Sequence, residues 1–217
     1  MRVGLVIGWA GALCLVAMVV GCQATRPAVP SPLCFAATGH TLRTGFLDAF
    51  EGMGGQAALG YPITEAFEQE GRLVQYFEYA RLEDHPDNPG GPVVKLSMLG
   101  ERLGRRRPPL PADRIPSTLD SGSRYYPQFG HAVRGDFLTF FDARGGLDRF
   151  GFPIAEPLVA GGELAQDFQR ARLIWHARSE PDERVTMEAI GRAYFEWQGL
   201  DAALLAPLPC PAGAQVE

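Results

Sequence analysis

The sequence predicts an α+β fold made of two tandem, pseudo-symmetric units. Three observations predict it: a self-match at a shift of 91 residues, short apolar runs bounded by Gly and Pro, and flanking segments with helical spacing. The stretch ALGYPITEAFEQEGRLVQYFEYARLEDHP runs from Ala58 to Pro86, and from Arg149 the chain reads RFGFPIAEPLVAGGELAQDFQRARLIWHA. The same shift, without a gap, places Phe46-Leu47 on Phe137-Leu138, Gly54-Gly55 on Gly145-Gly146, and Gly60-Tyr61-Pro62-Ile63 on Gly151-Phe152-Pro153-Ile154. Glu65 falls on Glu156, Ala80-Arg81-Leu82 on Ala171-Arg172-Leu173, and Gly100 on Gly191. All four histidines also pair, His40 with His131 and His85 with His176.

Each unit is expected to contain a short helix, a Gly-Tyr-Pro or Gly-Phe-Pro turn, a small antiparallel β-hairpin and a closing helix. Leu42, Phe46, Leu47 and Phe50 are spaced for a helix over 41–53, with Thr38 as its candidate cap and Gly54-Gly55 as its stop. Val133, Phe137, Leu138 and Phe141 repeat that pattern before Gly145-Gly146. Gly60-Tyr61-Pro62 then forces a turn. The short apolar runs of 66–85, broken at Gly71, predict a hairpin with a third short strand. The closing helices are expected over 96–103 and 185–199, the second carrying Met187, Ile190, Tyr194 and Trp197. The resulting organisation is a leader over 1–21, a tether over 22–33, a first unit over 34–104, a Pro-rich linker over 105–124, a second unit over 125–210 and a tail over 211–217. One such unit buries little apolar surface, so the two are expected to pack together.

The N-terminus has a basic start at Arg2, an apolar run from Val3 to Val20, and small residues before Cys22, the pattern of a signal peptide. Its Val-Val-Gly-Cys ending resembles the lipobox of bacterial lipoproteins, which implies lipid attachment at Cys22, an extracytoplasmic location and a membrane partner held through acyl chains. The alternative is a retained transmembrane anchor. The residues after Cys22, QATRPAVPSPL, are Pro-rich and aperiodic, as in an extended tether. Of four cysteines, Cys14 lies in the leader and Cys22 at its end, leaving Cys34 and Cys210. In an exported chain these are expected to form a disulfide joining the two ends of the folded region, the alternative being two free thiols. The whole chain carries 20 basic and 25 acidic residues; segment 1–21 holds one Arg and no acid, so the remainder is more acidic still. Nucleic acid is therefore excluded as a partner class, and Arg105-Arg106-Arg107 is expected to be a solvated linker.

The wording Leu59-Gly60-Tyr61-Pro62, Phe150-Gly151-Phe152-Pro153, RLIWH and IGRAYFEWQG resembles the LGFP repeat of exported, cell-wall-associated bacterial proteins. The likeness covers most of 35–104 and 125–199. It implies a noncatalytic module that attaches to or organises the cell envelope, with no cofactor.

Comparing the copies suggests which positions are framework. Leu73, Gln75 and Phe77 recur as Leu164, Gln166 and Phe168, whereas Arg72, Val74 and Tyr76 do not recur. A period of two assigns the recurring set to the core and the varying set to solvent. Tyr76 and Tyr79 are then exposed aromatics, with Trp175 and Trp197 as their counterparts, and such rings can stack on sugars; the alternative for the tryptophans is an interface between units. Glu65 with Arg81, and Glu156 with Arg172, are expected to pair within each copy and fix the turn. A glycosidase pair made of one carboxylate from each copy is the less favoured reading. The histidines lack metal-ligand spacing, so no metal site is expected. No nucleophile elbow or phosphate loop occurs. The expected function is noncatalytic binding of an envelope polysaccharide or peptidoglycan. A protein scaffold is the alternative, and a hydrolase with an unrecognised site is a third reading.

Overall fold

The computed structural model describes residues 32–43, 45–117, 120–212 and 214–216. The leader, Cys22 and the tether up to residue 31 lie outside the described residues. Among those described, six α-helices accompany four small sheets, a mixed α+β arrangement. No helix among them is long and apolar enough to cross a membrane.

The first half begins with β1 (Leu33–Phe35) and β2 (His40–Leu42), paired antiparallel, followed by α1 (Phe46–Gly52) and α2 (Gly55–Leu59). Four strands follow, β3 (Phe67–Gln69), β4 (Arg72–Tyr76), β5 (Arg81–His85) and β6 (Val93–Leu96), and α3 (Leu99–Arg102) closes the stretch. The second half opens with β7 (Ser123–Tyr126) and β8 (His131–Arg134), then α4 (Gly135–Ala143) and α5 (Gly146–Phe150). Its four-stranded sheet comprises β9 (Leu158–Ala160), β10 (Glu163–Asp167), β11 (Arg172–Trp175) and β12 (Val185–Met187), and α6 (Ile190–Trp197) follows. Finally β13 (Gln215–Val216) returns to lie parallel to β1.

The local details differ from the expected helix over 41–53. His40, Thr41 and Leu42 form a strand whose three residues are all buried, so Leu42 reaches the core from a sheet and the helix starts only at Phe46. α1 ends at Gly52, just ahead of Gly54-Gly55 as expected, but the same glycines open a second short helix. Gly54 adopts φ 99°, a left-handed conformation that glycine tolerates, and thereby starts α2 at a new angle; Gly145 does the same before α5. The closing helices begin later than expected because Val93–Leu96 and Val185–Met187 are taken up as edge strands.

Two apolar clusters each fill one half. The first is centred on Phe35, Phe46, Phe50, Leu59, Phe77 and Leu82, the second on Tyr126, Phe137, Phe141, Phe150, Phe168 and Leu173. A third cluster joins the halves, bringing Val74, Tyr76 and Leu99 against Ile190, Tyr194 and Phe195. Strand β4 is thus covered on both faces, and this defeats the period-two reading. Val74, Gln75, Tyr76 and Phe77 have no exposed surface, while the recurring Leu73 is 36% exposed.

The closing helices cross over. Gly191 in α6 donates its backbone N–H to the Glu78 carbonyl in the first half (3.0 Å), and Gly100 in α3 donates to the Gln169 carbonyl in the second (2.9 Å). A Cβ at Gly191 would lie 2.0 Å from the Phe77 oxygen, and one at Gly100 2.0 Å from the Phe168 oxygen. The chain after each helix follows the same course: Leu110 donates to the Gly130 carbonyl (2.8 Å), and Leu208 to the Gly39 carbonyl (3.2 Å). Cys210 then forms the expected disulfide with Cys34, their Cα atoms 5.7 Å apart.

The arginine run is not uniformly solvated. Arg105 ion-pairs with Glu188 and lies 3.6 Å from Asp167, Arg106 packs over Phe129 while pairing with Glu101, and the Arg107 backbone N–H donates to the Ile154 carbonyl. Its neighbours supply enough acceptors to order this stretch against the second half.

Gly100→Ala and Gly191→Ala are expected to lower stability by about 3 kcal/mol each through overpacking against backbone that cannot yield. Gly52→Ala, with nothing within 4 Å of the added Cβ, is the control expected to be neutral; urea unfolding of the three variants checks this. Cys34→Ser should cost up to ~5 kcal/mol, because the bridge closes a loop of 176 residues, and the thermal midpoint of oxidised against reduced protein measures it.

Candidate functional site

The recurring polar residues are used on the backbone. Gln75 donates through Nε2 to the carbonyls of Thr41 (2.9 Å) and Thr64 (2.8 Å), and Gln166 donates to those of Ala132 (2.8 Å) and Ala155 (3.0 Å). Both side chains are fully buried. Each one ties the strand before the first helix to the turn after the second, where a buried carbonyl without a partner would be costly.

Glu65 and Glu156 act in the same place. Glu65 accepts from the Thr41 backbone N–H (2.8 Å) and hydroxyl (2.6 Å), and Glu156 accepts from the Ala132 N–H (2.8 Å). His40 and His131 face these carboxylates at 3.6 and 3.4 Å. Both histidines start strands; His131 Nε2 also lies 3.2 Å from the Arg107 carbonyl. Burial pushes the Glu65 carboxyl up, but His40 and the Thr41 donors outweigh burial and hold it below the usual carboxylate range.

The expected pairing of Glu65 with Arg81, and of Glu156 with Arg172, is therefore corrected. Arg81 is buried on the far side of its strand, where it meets Glu83, donates to Ser97 Oγ (3.1 Å) and lies over the rings of Tyr76 and Tyr194 at 5.5 and 6.0 Å. Arg172 instead binds Asp167 through two contacts of 2.7 and 2.9 Å, with Glu188 at 3.7 Å. The arginine recurs but its acid does not. In the second half Asp167 stands where the first has Tyr76, and Glu188 where it has Ser97. Buried Arg81 finds its acid, Glu83, on its own strand β5, and half-buried Arg172 finds Asp167 on the neighbouring β10. For Glu83, burial opposes ionisation, but the Ser97 hydroxyl and the charges of Arg81, Arg102 and His85 outweigh it and lower its pKa.

The four aromatics proposed as ligand contacts separate by exposure. Tyr76 is completely buried, its hydroxyl donates to Gln69 Oε1 (2.9 Å), and burial pushes its pKa up to about 12. It is removed from any ligand surface, because α6 covers the face that alternation assigned to solvent. Tyr79 is half-buried beside Gly60. Trp175 is half-buried too, packed on the second core, with its indole N–H donating to Asp136 (2.8 Å). Trp197 is 62% exposed and stacks on Tyr194, ring centroids 5.7 Å apart and planes 21° apart. The four do not form one surface.

Sequence reasoning did not single out the groove between the helix pairs. It is lined by Met53, Ala57 and Leu96 from the first half and Arg144, Asp148 and Arg149 from the second, and has a volume of about 450 Å³. Its signal was present in the 91-residue comparison, since Met53, Ala57 and Ala58 become Arg144, Asp148 and Arg149. Among the described residues no cluster of His, Cys, Asp and Glu is arranged to hold a metal ion.

Glu65→Ala and Glu156→Ala leave a strand N–H unpaired and should each cost roughly 1–3 kcal/mol, read as a fall in thermal midpoint. The lowered pKa values of Glu65 and Glu83 mean the unfolded chain binds protons at higher pH than the folded one. Their contribution is present above the ordinary value of 4.5 and is lost as pH falls through the folded values. Thermal midpoints should hold from pH 7 to about 5 and fall below that, with a shallower fall in Glu65→Gln.

No protein-family model matches the chain, and no curated protein matches it closely enough to count as a relative.

Proposed function

We propose that the chain is a noncatalytic, lipid-anchored module of the outer cell surface that binds an envelope polysaccharide or peptidoglycan. Its body is read as two pseudo-symmetric units, 34–104 and 125–210, that exchange their closing helices. The crossing contacts at Gly100 and Gly191 and the equivalent roles of Gln75 and Gln166 support this reading. Lipid attachment at Cys22 rests on the Val19–Cys22 sequence, and the Cys34–Cys210 disulfide suits an oxidising, extracytoplasmic compartment.

The observation that carries the binding reading is Trp197. A large aromatic ring left 62% exposed loses apolar burial, yet the stack on buried Tyr194 holds it in one orientation. A fixed, exposed indole is a platform on which a sugar ring can lie with little further ordering cost. The carboxylates that glycoside hydrolysis would need, Glu65 and Glu156, are both engaged with strand backbone.

Residues 23–217 should cosediment saturably with insoluble cell-wall sacculi or with one of a panel of envelope polysaccharides. Trp197→Ala should weaken that binding at least fivefold with an unchanged thermal midpoint. Absence of binding to sacculi and to every polysaccharide would overturn the reading, as would full retention of binding by Trp197→Ala.

A further inference from the structure

The groove between α1–α2 and α4–α5 carries an uncompensated positive charge. Arg149 donates to the carbonyls of Ala57 (2.9 Å), Ala58 (2.8 Å) and Arg144 (3.3 Å) and contacts the Met187 sulfur (3.1 Å), all neutral acceptors. Arg144 lies over the Phe140 ring at 5.2 Å. Among the described residues no carboxylate comes within ion-pair distance of either guanidinium; Asp148 lines the same wall but pairs with neither. Burial first and the neighbouring Arg144 second push the Arg149 pKa down to about 10. The two cations therefore repel each other beside a partly desolvated space.

The facing wall is small and apolar. Met53, Ala57 and Leu96 offer no charge, and a space of about 450 Å³ falls within the range of small-ligand sites. Two guanidinium groups on one wall and short apolar side chains on the other complement a carboxylate carried on a compact apolar body. One carboxylate would relieve both the desolvation of Arg149 and its repulsion by Arg144, and could take charge-assisted hydrogen bonds from the guanidinium N–H groups.

We propose that this groove is a binding site for a carboxylate on a compact apolar body, such as the C-terminus of a peptide ending in alanine. The site is separate from the Trp197 platform, since no residue of α6 lines it. It does not depend on sugar binding.

The test uses residues 23–217 with the disulfide intact, which retain every described residue, and follows binding by calorimetry. Acetyl-alanyl-alanine should bind saturably, and its C-terminal amide at least tenfold more weakly. Arg144→Gln should weaken the acid at least tenfold with an unchanged thermal midpoint; Arg144 is the cleaner variant because Arg149 also holds the end of α2. Isobutyrate tests the source of the carboxylate. Binding as tight as that of the peptide assigns the site to small organic acids, and much weaker binding assigns it to peptide termini. Equal binding of acid and amide, no binding of either acid, or an unchanged affinity in Arg144→Gln would overturn the proposal.

Discussion

The close approach of two helices to foreign backbone is the constraint on which the rest depends. Gly191 and Gly100 sit where any side chain would collide with a carbonyl oxygen of the opposite half, and each donates its N–H across that contact. Because the helices come so near, Ile190, Tyr194 and Phe195 can cover Val74 and Tyr76 and create the third apolar cluster. α6 of the second half thus closes the open face of the first half's sheet. Without α6, that apolar surface would be exposed.

The disulfide belongs to the same arrangement. After α3 the chain reaches the second half at Leu110 and continues covalently into β7, so the crossing there is secured by chain continuity. After α6 the chain reaches the first half at Leu208, and the two-residue β13 then lies parallel to β1. The Cys34–Cys210 bond supplies a covalent link at that end. It restricts the unfolded chain over a long loop and keeps the C-terminal segment against β1 in the folded one.

Framework and surface chemistry are divided between recurring and varying positions, though not along the strand alternation. Gln75, Gln166, Glu65 and Glu156 recur because they satisfy backbone groups that recur with them. Arg81 and Arg172 recur, the first fully buried and the second half-buried, while their partners Glu83 and Asp167 come from different places because a charge only needs an acid nearby, whichever strand carries it. The groove takes the opposite course. Its walls are the same helices in both halves, but one is apolar and the other cationic, and this difference gives it a chemical preference.

The sequence by itself determined the 91-residue repeat, the α+β class, the hairpins bounded by Gly60-Tyr61-Pro62 and Gly151-Phe152-Pro153, and Cys34 with Cys210 as the candidate disulfide, whose bond the tertiary structure closes. These are legible because turns, breakers and apolar spacing act locally, and because two cysteines near the ends of the fold left one intramolecular pairing. Tertiary structure decided what each face meets. Tyr76 reads as exposed by alternation but is buried, since α6 arrives from more than 100 residues away to cover it. Glu65 and Arg81 recur together in sequence yet point to opposite sides of the fold, one to strand backbone and one to the joint between halves. Periodicity within a strand reports that two faces differ; only packing against distant elements fixes whether either of them reaches water.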